Sequence, residues 1–130
     1  MLFRSAELVV VDREEHSPDL TLTGQRWLLD TVVSGETASS VPEGVQAWLE
    51  LDDDGTARGH TGCNRGSGSW SETARGIRVE LATTRMACPG PAGEVEQAVT
   101  AVLSGSVRAE VVERRLTLTA DGAALGFTAR

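Results

Sequence analysis

Val95, Ala98, Val99, Val102 and Leu103 recur at i, i+3, i+4, i+7 and i+8. That spacing gathers apolar side chains on one face of an α-helix. No other part of the 130-residue chain carries a clear helical period. The stripe is narrow and one-sided, so the helix has to lie against something flat. Its start is marked by Pro89-Gly90-Pro91, since proline suits a first helical turn. Glu94 and Glu96 stand near that end, where negative charge complements the helix dipole. Ser104-Gly105 is a plausible stop.

Elsewhere the chain reads as short strands between turns. Trp27, Leu29 and Val32 are strand residues, with Trp27 as a core anchor. Ser34 to Gly44, rich in Ser and Gly and holding Pro42, reads as a loop. Ala47-Trp48-Leu49-Glu50-Leu51 is a strand. Asp52-Asp53-Asp54-Gly55 is its turn, because Asp-Gly suits the positive-φ positions of a tight hairpin. Thr56 to Thr61 returns antiparallel. Ile77-Arg78-Val79-Glu80-Leu81, Val107 to Val111, Leu116-Thr117-Leu118-Thr119 and Leu125-Gly126-Phe127-Thr128 supply further strands, the last two joined at Asp121-Gly122. The expected fold class is α+β: a compact antiparallel β sheet or open barrel packed against a single helix.

Upstream, Leu8-Val9-Val10-Val11 is short, β-branched and bounded by Glu7 and Asp12, hence a strand. Arg13 to Asp19 is polar and holds Pro18, hence a linker in which His16 is a solvated side chain. Residues 1–19 therefore form an N-terminal strand and linker, and 20–130 the main domain. Met1-Leu2-Phe3-Arg4-Ser5 lacks the basic-then-apolar order of a signal peptide. No run reaches the ~18 apolar residues of a membrane-spanning helix, so no direct membrane insertion is expected. Twelve basic residues against nineteen acidic ones give −7. That argues against nucleic acid, which rewards clustered Lys and Arg.

The residues that could carry chemistry lie between Thr56 and Cys88. Three aspartates before Gly55 invite a calcium loop, but counting from Asp52 puts Ala57 where that loop needs glycine. Gly62-Cys63-Asn64-Arg65-Gly66-Ser67-Gly68 could suggest a phosphate cradle, yet no helix follows it. The glycines are expected to permit a bulge and a sharp turn between strands. His60, Cys63 and Cys88 match no common zinc spacing. A nucleophilic Cys63 would need a base, and on a strand His60, three residues away, projects to the opposite face. Two readings of the cysteines stay open. They form a disulfide closing a loop of roughly 25 residues, worth about 3.5 kcal/mol in the chain-entropy account, or they are two small buried thiols. Arg65 and Arg85 beside glycine-rich turns could hold an anion, but in so acidic a chain they are expected to pair with its own Asp and Glu. No cofactor and no metal is expected.

Trp27-Leu28-Leu29, Gly62-Cys63-Asn64-Arg65, Thr84-Arg85-Met86-Ala87-Cys88 before a Pro-bounded acidic helix, and Leu116-Thr117-Leu118 occur in this order. Together they resemble the META domain family, which includes the bacterial heat-inducible lipoprotein HslJ. The resemblance implies a β sheet wrapped against a helix, a secreted or cell-envelope location, and a role in stress or antibiotic tolerance, secretion or virulence. It implies no catalytic site. Trp27, Gly62, Cys63, Asn64, Thr84, Arg85, Met86 and Cys88 carry over as family signature, with a turn glycine, a capping Asn and a Cys63–Cys88 staple as their structural roles. Leu2-Phe3-Arg4 echoes Leu125-Gly126-Phe127, so residues 1–19 are read as the tail of a preceding repeat.

The expected function is a non-catalytic module of a secreted or envelope protein that binds a protein or surface ligand. A long exposed strand edge, or an apolar patch around Trp48 or Trp70, would mark it. The alternatives are a purely structural domain without a ligand and an enzyme using Cys63 and His60.

Overall fold

The computed structural model describes residues 19–130. The strand expected at Leu8–Val11, the linker before Asp19 and His16 lie outside the described residues.

Nine strands and one helix follow in chain order: β1 Arg26–Ser34, β2 Thr37–Ser40, β3 Ala47–Leu51, β4 Thr56–Thr61, β5 Arg65–Thr73, β6 Gly76–Thr83, α1 Pro91–Val102, β7 Ser106–Val112, β8 Arg115–Ala120 and β9 Ala123–Ala129. Every pairing is antiparallel. The order β1-β3-β4-β5-β6-β7-β8-β9 closes because β9 also pairs with β1, giving an eight-stranded barrel. Of the two expected architectures the barrel is adopted, but it is closed and not open. Closure removes most of the free edge that an open sheet would expose.

Alternation decides what fills the barrel. Trp27, Leu29, Leu49, Leu51, Ile77, Val79, Val107, Leu116, Leu118, Leu125 and Phe127 all point inward and are buried. Trp27 is fully buried, and its indole N–H donates to the Leu22 carbonyl at 2.9 Å, so the anchor's one polar atom is satisfied. Val95, Val99 and Val102 of α1 join the same core. The helical stripe thus packs on the sheet as its period requires. A register shift between Leu29 and Thr31 interrupts the β1–β9 ladder. The Asp30 side chain there accepts hydrogen bonds from Arg115 and Thr128.

Two expectations need correction. Ser34 to Gly44 is not simply a loop: β1 runs to Ser34 and turns at Gly35 into β2. Thr37-Ala38-Ser39-Ser40 is exposed at every position, so no alternation of apolar and polar residues announces it. The glycines after Asn64 make no bulge either. Gly66 and Gly68 sit inside β5 with unbroken register to both neighbours. A Cβ on Gly68 would stand 1.9 Å from the Glu80 carbonyl oxygen, so glycine serves close backbone approach there. The expected sharp turn lies just before, at Gly62, whose φ is 104°.

Candidate functional site

The shortest ladder of the barrel joins β6 and β7. β6 and β7 share only two residue pairs, Ile77 with Val107 and Arg78 with Ser106. The cause lies in the connection. The residues before Ser106, which would extend β7 alongside Val79–Thr83, belong instead to α1 and its exit turn. Beyond Arg78 the outer backbone edge of β6 therefore faces no strand, and no hydrogen bond among the described residues crosses from it. Across the gap stands α1. Between them runs a groove of about 690 Å³, walled by Val79, Glu80 and Leu81 on one side and by Val99, Thr100 and Leu103 on the other.

The groove ends at the segment Thr84–Ala87, and the family-signature residues hold that segment. Cys63 and Cys88 form a disulfide with a Cα–Cα distance of 6.0 Å. Gly93 in the first turns of α1 lets the Cys88 carbonyl approach, since a Cβ there would lie 2.1 Å from that oxygen. Asn64 is buried beside the disulfide. Its Oδ1 accepts from the Met86 N–H at 2.7 Å and from the Thr84 hydroxyl at 2.9 Å. Its Nδ2 donates to the Met86 carbonyl at 3.2 Å and to Glu96 Oε1 at 2.8 Å. The side-chain amide meets both polar groups of one residue, as a neighbouring strand would. Asn64, expected as a capping residue, bonds to this segment, while the α1 N-cap is Gly90. Asn64 is a surrogate strand partner for Met86.

Glu96 completes this cluster. It was expected to serve the helix dipole, and Glu94 does stand in the first turn. Glu96 instead turns inward and also accepts from the buried Thr61 hydroxyl. The Thr61 hydrogen bond, followed by that from Asn64, holds the Glu96 carboxyl below its usual range although burial pushes it up. Sequence reading missed this role. The signal was available only as a glutamate on the helix face adjoining the Val95–Val99 stripe.

The remaining candidates separate. His60 does not meet Cys63: its Nδ1 accepts from the Gly62 N–H at 3.1 Å and supports the turn. Cys63 is committed to the disulfide, so the thiolate that an enzyme using Cys63 and His60 would need is absent. No three His, Cys, Asp or Glu side chains converge as metal ligands among the described residues. Arg65 and Arg85 were expected to pair with acids, but neither makes an ion pair among the described residues. The nearby acids are already taken: Glu50 by Arg26 and Arg58, Asp52 by Arg58, Glu80 by Arg78. Trp48 and Trp70 are both half-buried. Arg26 lies over the Trp48 ring at 4.0 Å, and the Trp70 indole N–H donates to the Asp52 carbonyl at 2.7 Å. Among the described residues the exposed large apolar side chains are Met86, 61% exposed at the groove's end wall, and Val112.

Among the described residues no helix is long and apolar enough to cross a membrane. A family model for the META domain matches residues 20–130. A solution structure of a protein from Burkholderia xenovorans is similar at 31% identity, covering 84% of this chain and 83% of that one, with a TM-score of 0.70. A second solution structure shares the fold at 22% identity, covering 84% and 94%, with a TM-score of 0.62. No curated protein matches the sequence.

Proposed function

This chain belongs to the META domain family, and we propose that it is a non-catalytic binding module of an extracytoplasmic protein whose site is the groove between β6 and α1. The observation that carries this reading is the unpaired β6 edge beyond Arg78, set in an otherwise closed barrel and facing an apolar helix wall. An exposed strand edge is the feature that proteins normally shorten, charge or cover. Here it is kept beside Leu81, Val99 and Leu103, with exposed Met86 at its end.

The non-catalytic part rests on how the polar groups are used. The Asn64 amide, the Thr84 hydroxyl and the Thr61 hydroxyl spend their hydrogen bonds on one another, on Met86 and on Glu96. The disulfide supports the extracytoplasmic part, because such bonds persist in oxidising compartments.

The test is a selection of peptides from a random displayed library against the oxidised domain. Binders are expected, and Met86→Glu and Leu81→Lys should each weaken them at least tenfold. Val112→Glu, which changes the other exposed apolar site, should leave them unchanged. Failure to select any binder, or binders indifferent to Met86 and Leu81, would overturn the reading.

A further inference from the structure

We infer that the groove binds its partner by strand addition: an extended segment of another protein pairs antiparallel with Val79–Thr83 and completes the seam that β7 leaves open. This deepens the binding-module reading and rests on it. The argument begins with the backbone. An edge strand offers a row of N–H and C=O groups, and an added strand meets them with main-chain hydrogen bonds of its own. β7 already pairs with β6 at Ile77 and Arg78. An occupant in β7's direction would continue that ladder along the same line, and antiparallel pairing is the more stable kind.

Side chains then set what the occupant must look like. Val79 and Leu81 lie on the inward face of β6, with Glu80 between them on the outer face. Alternate occupant residues opposite Val79 and Leu81 would enter the space before Val99 and Leu103. These positions call for β-branched or other modest apolar side chains. The intervening positions face outward and call for polar ones.

Charge sets the direction. At the Thr83 end stands Arg85, without an ion pair among the described residues. In an antiparallel occupant this end meets the N-terminal residues, so an acidic side chain belongs there. At the Val79 end stands the C-terminus of α1, whose last turn carries no basic residue. Its carbonyl groups favour a cation, so a basic side chain belongs at the occupant's C-terminal end. Arg78 and Glu80 also line the groove and pair with each other. The partner segment is thus acid-first, alternating apolar and polar, and base-last.

The experiment uses the oxidised full chain, labelled for amide NMR, and three capped synthetic peptides. The first is Glu-Thr-Val-Thr-Val-Thr-Lys. The second exchanges its terminal charges. The third is the first with alternate amides N-methylated on the edge that would face β6. The first should give saturable shifts at Val79–Thr83 and slow their amide exchange. The charge-exchanged peptide should bind about fivefold more weakly, and the N-methylated one at least tenfold more weakly. Arg85→Glu should remove the preference between the first two, because the two ends of the groove then favour opposite peptides. That side chain is exposed and makes no ion pair among the described residues whose loss would disturb the fold.

Equal binding of the N-methylated peptide would overturn strand addition while leaving a binding groove in place. An unchanged preference in Arg85→Glu would overturn the assigned direction. Shifts confined to other faces, such as the one around Trp48, would overturn the inference. Library-selected binders that map to the groove without alternating pattern would do so too, yet preserve the broader reading.

Discussion

Asn64→Ala tests the idea that one buried amide holds the end wall of the groove. The substitution removes three hydrogen bonds to Thr84 and Met86 and one to the Glu96 carboxylate. Neutral bonds contribute about 1 kcal/mol each and those to charged groups about 1.5–3 kcal/mol. Thr84 and Met86 are exposed, so water replaces part of what they lose. A net loss of about 3 kcal/mol remains. For a domain of this size that corresponds to a Tm lower by roughly 12 °C. The assay is equilibrium urea denaturation under oxidising conditions, with Thr84→Val as the single-bond comparison at about 1 kcal/mol. The disulfide makes the prediction sharper. It holds Cys88 beside Cys63, so the Asn64 bonds form within a segment already tethered. In a Cys63→Ala/Cys88→Ala background the same Asn64→Ala change should cost less, by about 1 kcal/mol, because contacts within one network do not add. A loss below about 1 kcal/mol in the oxidised protein, where one hydrogen bond alone accounts for that much, would refute the reasoning.

Removing the disulfide by Cys63→Ala/Cys88→Ala should destabilise by about 3.5 kcal/mol and raise the urea m-value, since the bond restricts the unfolded chain. An unchanged unfolding midpoint would contradict it. Gly76→Ala should open the short seam: φ there is 150°, and the new Cβ would lie 2.0 Å from the Val107 carbonyl oxygen. Faster amide exchange at Ile77 and Val107 is the readout, and wild-type protection there would count against the account. Acid should weaken the fold through Glu96 and Asp30, whose carboxyls both sit below their usual range. For Glu96 the Thr61 hydrogen bond leads. For Asp30, burial pushes upward and the hydrogen bonds from Arg115, Thr128 and Thr31 more than reverse it. With folded values depressed, their contribution is present above the unfolded values of about 4.3 and 3.9 and is lost as pH falls through the folded ones. Glu96→Gln should therefore flatten the stability–pH curve below about pH 4.5, and an unaltered acid slope would exclude Glu96 as a contributor.

The parts of this fold that could be read from sequence are those whose cause is local. The Val95–Leu103 stripe specifies a helix because its period is set within a few turns. Asp54-Gly55 and Asp121-Gly122 specify turns because both Gly55 and Gly122 take positive φ. Barrel closure had no such signal. It joins Arg26–Ser34 to Ala123–Ala129, two segments whose individual patterns are equally compatible with an open sheet. The role of Asn64 was hidden for the same reason. Its partners Thr84, Met86 and Glu96 lie 20 to 32 residues away. The arginines failed differently. An excess of acid suggested partners for Arg65 and Arg85, but Glu50, Asp52 and Glu80 are held by Arg26, Arg58 and Arg78. Net charge counts residues, whereas an ion pair needs them as neighbours on one face.

The proposed binding role fits how the signature residues around the groove use their polar atoms. A side chain that performs chemistry must present a free polar atom to its substrate. Asn64 and Thr84 turn theirs inward, and Cys63 and Cys88 bond to each other. Gly62 makes room for Val95, whose side chain a Cβ would meet at 2.9 Å. Each fixes where Thr84–Ala87 lies relative to β6 and α1, and so where the groove ends. Arg85 and Met86 alone of that segment's signature residues reach outward with no side-chain partner among the described residues. A long apolar side chain and an exposed guanidinium, held on a wall stapled at both ends, are what a surface needs to recognise an apolar segment with an acidic end. Substitutions at Asn64 or the cysteines should therefore lower stability and binding together, whereas those at Arg85 and Met86 should lower binding alone. If denaturation midpoints followed binding equally at all of these positions, the division between wall and contact would be wrong.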